Sequence, residues 1–242
     1  MFELVIEDIT DEQITEEAAE YGPLAESVRR LIDATIRTER RGEAIRRATA
    51  AIDALAAELA GEQLPGPYGV RFTQTGTFRA WGNAAAGLRN PIAPPLDLQV
   101  EADGTVWAEV ELGAAYEGPP TLVHGGISAL ILDQALGRAA EAASAPGFTG
   151  TLEVRYRRPT RLGALRVEAK LDRIDGVKSF VVGTISDAEG VCVEGTGVFI
   201  MPSWTRSDDQ RLEAVREARA ASAGFTASPS APTGHVDPPA PS

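Results

Sequence analysis

Val123-His124-Gly125-Gly126-Ile127-Ser128-Ala129-Leu130-Ile131-Leu132-Asp133 is the stretch around which the chain is organised. It opens as a turn with paired glycines and continues as a largely apolar run over residues 127–140. A run that is hydrophobic on most sides reads as a helix buried nearly all round, not as an amphipathic surface helix. It is too short to span a bilayer, which needs roughly twenty residues. Asp133 stands in the middle, on one helical face with Gly126, Ala129, Leu130 and Gly137. An ionised carboxylate buried without partners costs several kcal/mol, so Asp133 has to be paired, hydrogen-bonded or in use. The glycines place bare N–H groups at the helix start, where an anion or a developing oxyanion is stabilised. A carboxylate two turns from such a site suits a hydrolase.

On either side of this helix the hydrophobic period changes to two. Upstream, residues 96–101 and 105–112 alternate and flank Asp103-Gly104, a hairpin signal. Downstream, strands are expected near 150–159, 164–174, 178–187 and 191–201, with turns at Asp175-Gly176 and Glu189-Gly190. Strands, one long helix and then a four-strand meander make an α+β fold, an antiparallel sheet curled around one helix. Such a sheet leaves an edge or a face to be covered, which predicts association of two copies, as a homodimer or a dimer of dimers.

Further out, residues 1–62 form a helical N-terminal extension. Pro23 suits a helix start, with Leu24, Val28, Leu31, Ile32 and Thr35 at helical spacing after it. A second helix carries Ile45, Ala48, Ile52, Leu55 and Leu59 on one stripe, so the two are expected to form a hairpin. Packing of that stripe on the main domain or on a second subunit competes with a separate functional module. Residues 63–204 hold the main domain and begin with a Gly/Pro-rich connection over 61–95. Within that connection, residues 75–83 read as a core-capping loop or a ligand mouth. Residues 205–242 read as a short polar helix followed by an Ala/Pro/Ser-rich tail too poor in apolar residues to order itself.

A net charge of −12 argues against nucleic acid as the main partner. The single cysteine, Cys192, lies between two valines in an expected strand and reads as filler in a reducing cytoplasm. No signal peptide and no membrane span is expected. One cysteine and two histidines offer no metal site, and no Gly-x-Ser-x-Gly elbow is present.

The segment Tyr116-Glu117-Gly118-Pro119-Pro120-Thr121-Leu122-Val123-His124-Gly125-Gly126, with Asp133 seven residues on, resembles the hotdog-fold acyl-CoA thioesterases, and among them the PaaI-type with its His-Gly-Gly signature. The likeness runs through Tyr156-Arg157-Arg158-Pro159 and spans roughly residues 90–202. It implies a hotdog dimer with active sites at the interface and Asp133 as the catalytic carboxylate. It also implies carbonyl polarisation by the backbone of Gly125 and Gly126, and assistance from a hydroxyl that falls on Thr149. Where many members carry an Asn and more Gly before His-Gly-Gly, this chain has Glu117-Gly118-Pro119-Pro120, a departure that bears on acyl specificity.

His124, on the turn, reads as a structural ligand of the loop or as a proton-transfer group. Strand parity puts Thr149 on the face opposite Leu152, Val154 and Tyr156, so it meets the helix only across a bulge or else points to a partner subunit. Arg155, Arg157, Arg158 and Arg161 form a basic cluster, read either as a solvated strand and turn or as a site for the phosphates of coenzyme A. The expectation is therefore hydrolysis of an acyl-CoA thioester by Asp133, as general base or as nucleophile, with no cofactor beyond the coenzyme A of the substrate. The rivals are a hotdog hydratase or dehydratase, which needs a His paired with a carboxylate, and a non-catalytic acyl-CoA-binding module.

Overall fold

The alternation that sets the strands is visible in what each residue buries. In the computed structural model, which describes residues 4–74 and 77–202, Val106, Ala108, Val110 and Leu112 point inward from β5 (Val106–Leu112) while Glu109 and Glu111 point out. Leu165, Val167 and Ala169 do the same on β7 (Gly163–Asp175), and Val181 and Ile185 on β8 (Lys178–Asp187). With β4 (Gln99–Val100), β6 (Phe148–Tyr156) and β9 (Gly190–Ile200) these strands form a six-stranded sheet in the order β4-β5-β7-β8-β9-β6. Every neighbouring pair is antiparallel. The turns fall at Gly104, Gly176 and Gly190, all at positive φ.

Across the sheet lies α3 (Gly125–Ala142), preceded by a single 3-10 turn, Ala114–Tyr116. Ser128, Ile131, Leu132, Ala135, Leu136, Ala139 and Ala140 are buried against it, and each large one stabilises the fold by roughly 1.5–3 kcal/mol. The helix rides close to the strands because the sheet offers glycines beneath it. A Cβ on Gly195 would sit 3.1 Å from Leu132, and one on Gly183 would sit 3.1 Å from Leu136. This is the hotdog arrangement, an α+β fold with one sheet curled around one helix.

The burial is one-sided, which corrects the expectation of a helix enclosed nearly all round. Ala129, Leu130, Asp133, Gln134, Gly137 and Arg138 remain partly exposed. One curved sheet reaches around only half of a helix, and the apolar residues of the other half await further cover. Asp133 is on that uncovered side.

The N-terminal part differs from expectation at three points. First, β1 (Leu4–Glu7) pairs in parallel with β2 (Val70–Thr73), which pairs with β3 (Phe78–Arg79). This small sheet is clamped by ions. Arg79 is buried and pairs with Glu7 and Glu17, and Arg71 also pairs with Glu7. Second, α1 (Asp11–Arg37) starts before Pro23, because Thr10 and Gln13 form a reciprocal capping box and Asp11 and Glu12 complement the helix dipole. Third, α2 (Glu43–Leu59) buries none of its residues, so there is no packed hairpin. The connection through Thr38, extended at φ −66 and ψ 136, and Gly42, at φ +60, leads the chain away instead. The polar helix and tail expected over 205–242 lie outside the described residues.

Candidate active site

The turn before α3 is tightly specified. His124 is the N-cap, and its Nδ1 accepts the Gly126 N–H at 3.0 Å. Its own N–H donates to the Tyr116 carbonyl at 2.9 Å, and its carbonyl accepts from Ile127 and Ser128. Only glycine fits at 118, since a Cβ there would stand 2.7 Å from the His124 Cα. Thr121 is held at φ +66, its N–H donating to the Glu117 Oε1 at 2.7 Å. The Glu117-Gly118-Pro119-Pro120 run is thus the scaffold of the turn, and its carboxylate secures the strained residue.

These bonds leave one amide of the turn uncommitted. The Gly126 N–H is taken by His124. The Gly125 N–H donates to no described group, as the first amide of a helix does. Of the two glycines, only Gly125 therefore has an N–H that no described group accepts. His124 commits Nδ1 to the cap.

Sequence reasoning missed Tyr156. From β6 its hydroxyl donates to the Gly125 carbonyl at 2.8 Å, and the hydroxyl and ring edge would stand 3.2–3.4 Å from a Cβ on Gly125. The peptide joining Gly125 to Gly126 is held at both ends by side chains, its carbonyl by Tyr156 and its N–H by His124. The place of Tyr156 beside Arg157-Arg158-Pro159 in the matching segment was the available signal.

The bulge needed to bring Thr149 to the helix is present. In the pairing of β6 with β9, Thr149 lies opposite Phe199 and Thr151 opposite Val198, so Gly150 is an extra residue and parity inverts there. Thr149 Oγ1 donates to Asp133 Oδ1 at 2.9 Å. Asp133 Oδ2 accepts from no described residue. One strand thus orients both halves of the site, Thr149 at Asp133 and Tyr156 at the turn.

The arginines do not form a free cluster. Arg155 pairs with Glu153 at 2.7 Å and Arg157 with Glu194 at 2.7 Å. Arg158 pairs with Asp187 and Glu189 and bonds the Gly190 and Val191 carbonyls. Its guanidinium holds the Asp187 carboxyl down at about 2, and Arg157 likewise lowers Glu194. Adjacent strands bring these acids alongside, which sequence spacing did not reveal. Arg161 makes no ion pair with a described residue. It lines an open groove of about 770 Å³ with Glu117, Pro120, Thr121, Leu122 and Pro159. Cys192 is buried in β9, and burial raises its thiol, as befits filler. Among the described residues no group of His, Cys, Asp or Glu is arranged to hold a metal, and no helix is long and apolar enough to cross a membrane.

The model of the thioesterase superfamily matches residues 121–194, from the turn to β9. A solved thioesterase superfamily protein, RHA08564, is 34% identical, with 74% of this chain and 94% of that one aligned at a TM-score of 0.67. The chain belongs to the thioesterase superfamily. Two further structures are more distant. A putative thioesterase from Ralstonia eutropha JMP134, related to phenylacetic acid degradation, is 22% identical over 44% of this chain and 84% of its own, at a TM-score of 0.41. A Streptococcus mutans UA159 protein bound to acetyl CoA is 16% identical over 44% and 88%, at 0.42.

Proposed function

We propose that this protein hydrolyses an acyl-CoA thioester to a carboxylic acid and coenzyme A. The observation that carries the reading is the pairing, on one helix, of a turn with a single uncommitted N–H, at Gly125, and a carboxylate with one uncommitted oxygen, at Asp133. The thioester carbonyl accepts from the Gly125 N–H, which stabilises the negative charge that develops on its oxygen. Asp133, held through Oδ1 by Thr149, uses Oδ2 either to take a proton from the attacking water or to attack the carbonyl itself. The acyl–sulfur bond breaks and the thiolate of coenzyme A leaves; where Asp133 is the nucleophile, water then cleaves the acyl–Asp133 anhydride to release the acid and restore the carboxylate. Tyr156 and His124 keep the turn in place. Arg161, rather than the paired Arg155, Arg157 and Arg158, meets a phosphate of coenzyme A.

Gly125 and Asp133 are eight residues apart, about 12 Å along the helix at 1.5 Å per residue. A polarised carbonyl and the base for its nucleophile sit closer than that. Two copies packed through their uncovered α3 faces bring Gly125 of one against Asp133 of the other, so the working unit is a dimer with sites shared between copies. The test is release of free thiol from a panel of acyl-CoAs by the purified full chain. Binding of acyl-CoA without thiol release would reduce the protein to a carrier.

A further inference from the structure

We propose that α2 is a docking surface for a second copy of this chain, the two helices packing antiparallel about Ile52. Free-standing helices of this length are marginal in water, and their stability in proteins comes from packing an apolar face. Yet α2 has 17 residues and none is buried. Ile45 is 38% exposed, Ile52 37%, Leu55 59% and Leu59 56%.

The spacing of the stripe says what kind of partner it fits. Positions 45, 48, 52, 55 and 59 alternate steps of three and four. That is the narrow seam of a helix paired with another helix, not the broad stripe of a helix lying on a domain. Beside the seam stand Ala44, Thr49, Ala51 and Ala56, small enough to let a second backbone approach closely.

Charge then selects the partner and its direction. Arg46 and Arg47 lie in the first half, balanced only in part by Glu43, with which both pair. The second half carries Asp53 and Glu58 and no base. In an antiparallel pair centred on Ile52, Ile45 comes level with Leu59 of the other copy, and Arg47 lies on the same flank as its Glu58. A parallel pair would set the basic halves level with each other and the acidic halves level with each other, and would align the helix dipoles unfavourably. An anionic membrane surface is a poor occupant, because α2 has three acids against two bases.

The contact is isologous and closes on itself. One helix pair of this length buries less than the roughly 1,200 Å² of a stable interface. It therefore adds to another contact between copies and does not hold them alone. None of this rests on the catalytic reading.

Cross-linking of the full chain tests it, with buried Cys192 left in place. Ile52→Cys should form an intermolecular disulfide on mild oxidation, and the outward-facing Ala50→Cys should not. Ile45→Cys should not link to itself either, because antiparallel packing holds the two copies of position 45 about 20 Å apart. Equal cross-linking at 45 and 52 would mean a parallel pair and overturn the proposal. No linkage at 52 above the Ala50→Cys control would overturn it as well. Sedimentation gives the second reading. Leu55→Glu should weaken self-association about tenfold or more, since it sets a carboxylate in the seam. Arg46→Glu with Arg47→Glu should weaken it less, and adding Asp53→Arg and Glu58→Arg should restore it. Self-association unchanged by Leu55→Glu in a folded protein would also reject the surface.

Discussion

The Tyr156 hydroxyl donates to the Gly125 carbonyl at 2.8 Å, and the next N–H along the same backbone donates to His124 Nδ1 at 3.0 Å. A single peptide is thereby fixed by two side chains from different parts of the chain. Its rotation would carry the neighbouring Gly125 N–H out of line, so under the proposed mechanism Tyr156 would govern carbonyl polarisation without touching the thioester.

Tyr156→Phe should therefore lower kcat by about two- to tenfold, the worth of one net hydrogen bond, while KM moves little. The ring survives and the site is exposed, so thermal stability should change little. Steady-state kinetics beside a melting curve separates the effects. A drop in melting temperature with kcat unchanged would make Tyr156 a packing residue only.

Asp133→Asn should reduce kcat on the order of a hundredfold or more, because an amide neither takes a proton from water nor attacks as an anion. Thr149→Val should cost less, and Thr149→Ser should recover most of that loss by restoring the donor to Oδ1. If folded Asp133→Asn turns over its best acyl-CoA within a few-fold of wild type, the carboxylate is structural and the mechanism fails.

What the sequence made legible, and what it hid, follows from range. The strands were readable because alternation is local, as at Val106, Ala108, Val110 and Leu112, and because Asp103-Gly104 and Asp175-Gly176 mark turns. Asp133 and the glycines were readable because a carboxylate and paired glycines are conspicuous in an apolar helix. The pairing of β1 with β2 was not, since a four-residue strand finds its partner more than sixty residues away. Thr149 stood open because its direction depends on a bulge that only the register against Phe199 and Val198 reveals. Arg157 and Arg158 read as free cations until β9 and the end of β8 brought Glu194 and Asp187 alongside.

Among the arginines, Arg161→Gln should raise KM for acyl-CoA with kcat little changed, and the effect should vanish with a pantetheine thioester that lacks the nucleotide. Arg157→Gln should leave both substrates alike. An equal rise in KM on both substrates for Arg161→Gln would make that residue part of the groove wall and not a phosphate ligand.

Acid should find Arg158 and Asp187. The Asp187 carboxyl lies at about 2, below its ordinary 3.8, so its ionised form is favoured by folding. The stability this contributes is fully present above the ordinary value and is lost as pH falls from about 4 towards 2. Unfolding midpoints followed through that window should fall less steeply for Asp187→Asn than for wild type. Parallel curves would show the pair to be energetically silent, as many surface pairs are.

The sharing of sites between copies can be tested by mixing two dead proteins. Asp133→Asn lacks the carboxylate but keeps the turn. Gly125→Ala keeps the carboxylate, but its Cβ would stand 3.2 Å from the Tyr156 hydroxyl and 3.3–3.4 Å from its ring, tight enough to push on the side chain that holds the turn. Each alone should have little activity. In a mixed dimer whose sites take Gly125 from one copy and Asp133 from the other, one site inherits both lesions and the other inherits neither. Unfolding and refolding the two together should thus restore about a quarter of wild-type activity, since half of the random dimers are mixed and each has one intact site. If both groups of a site came from the same chain, every site in every mixture would carry a lesion. Activity would then stay at the level of the parents however the copies were combined. Size-exclusion chromatography of differently tagged copies shows that exchange took place. With exchange shown and no activity regained, the shared-site arrangement is wrong, while hydrolysis by Asp133 within one chain would still stand.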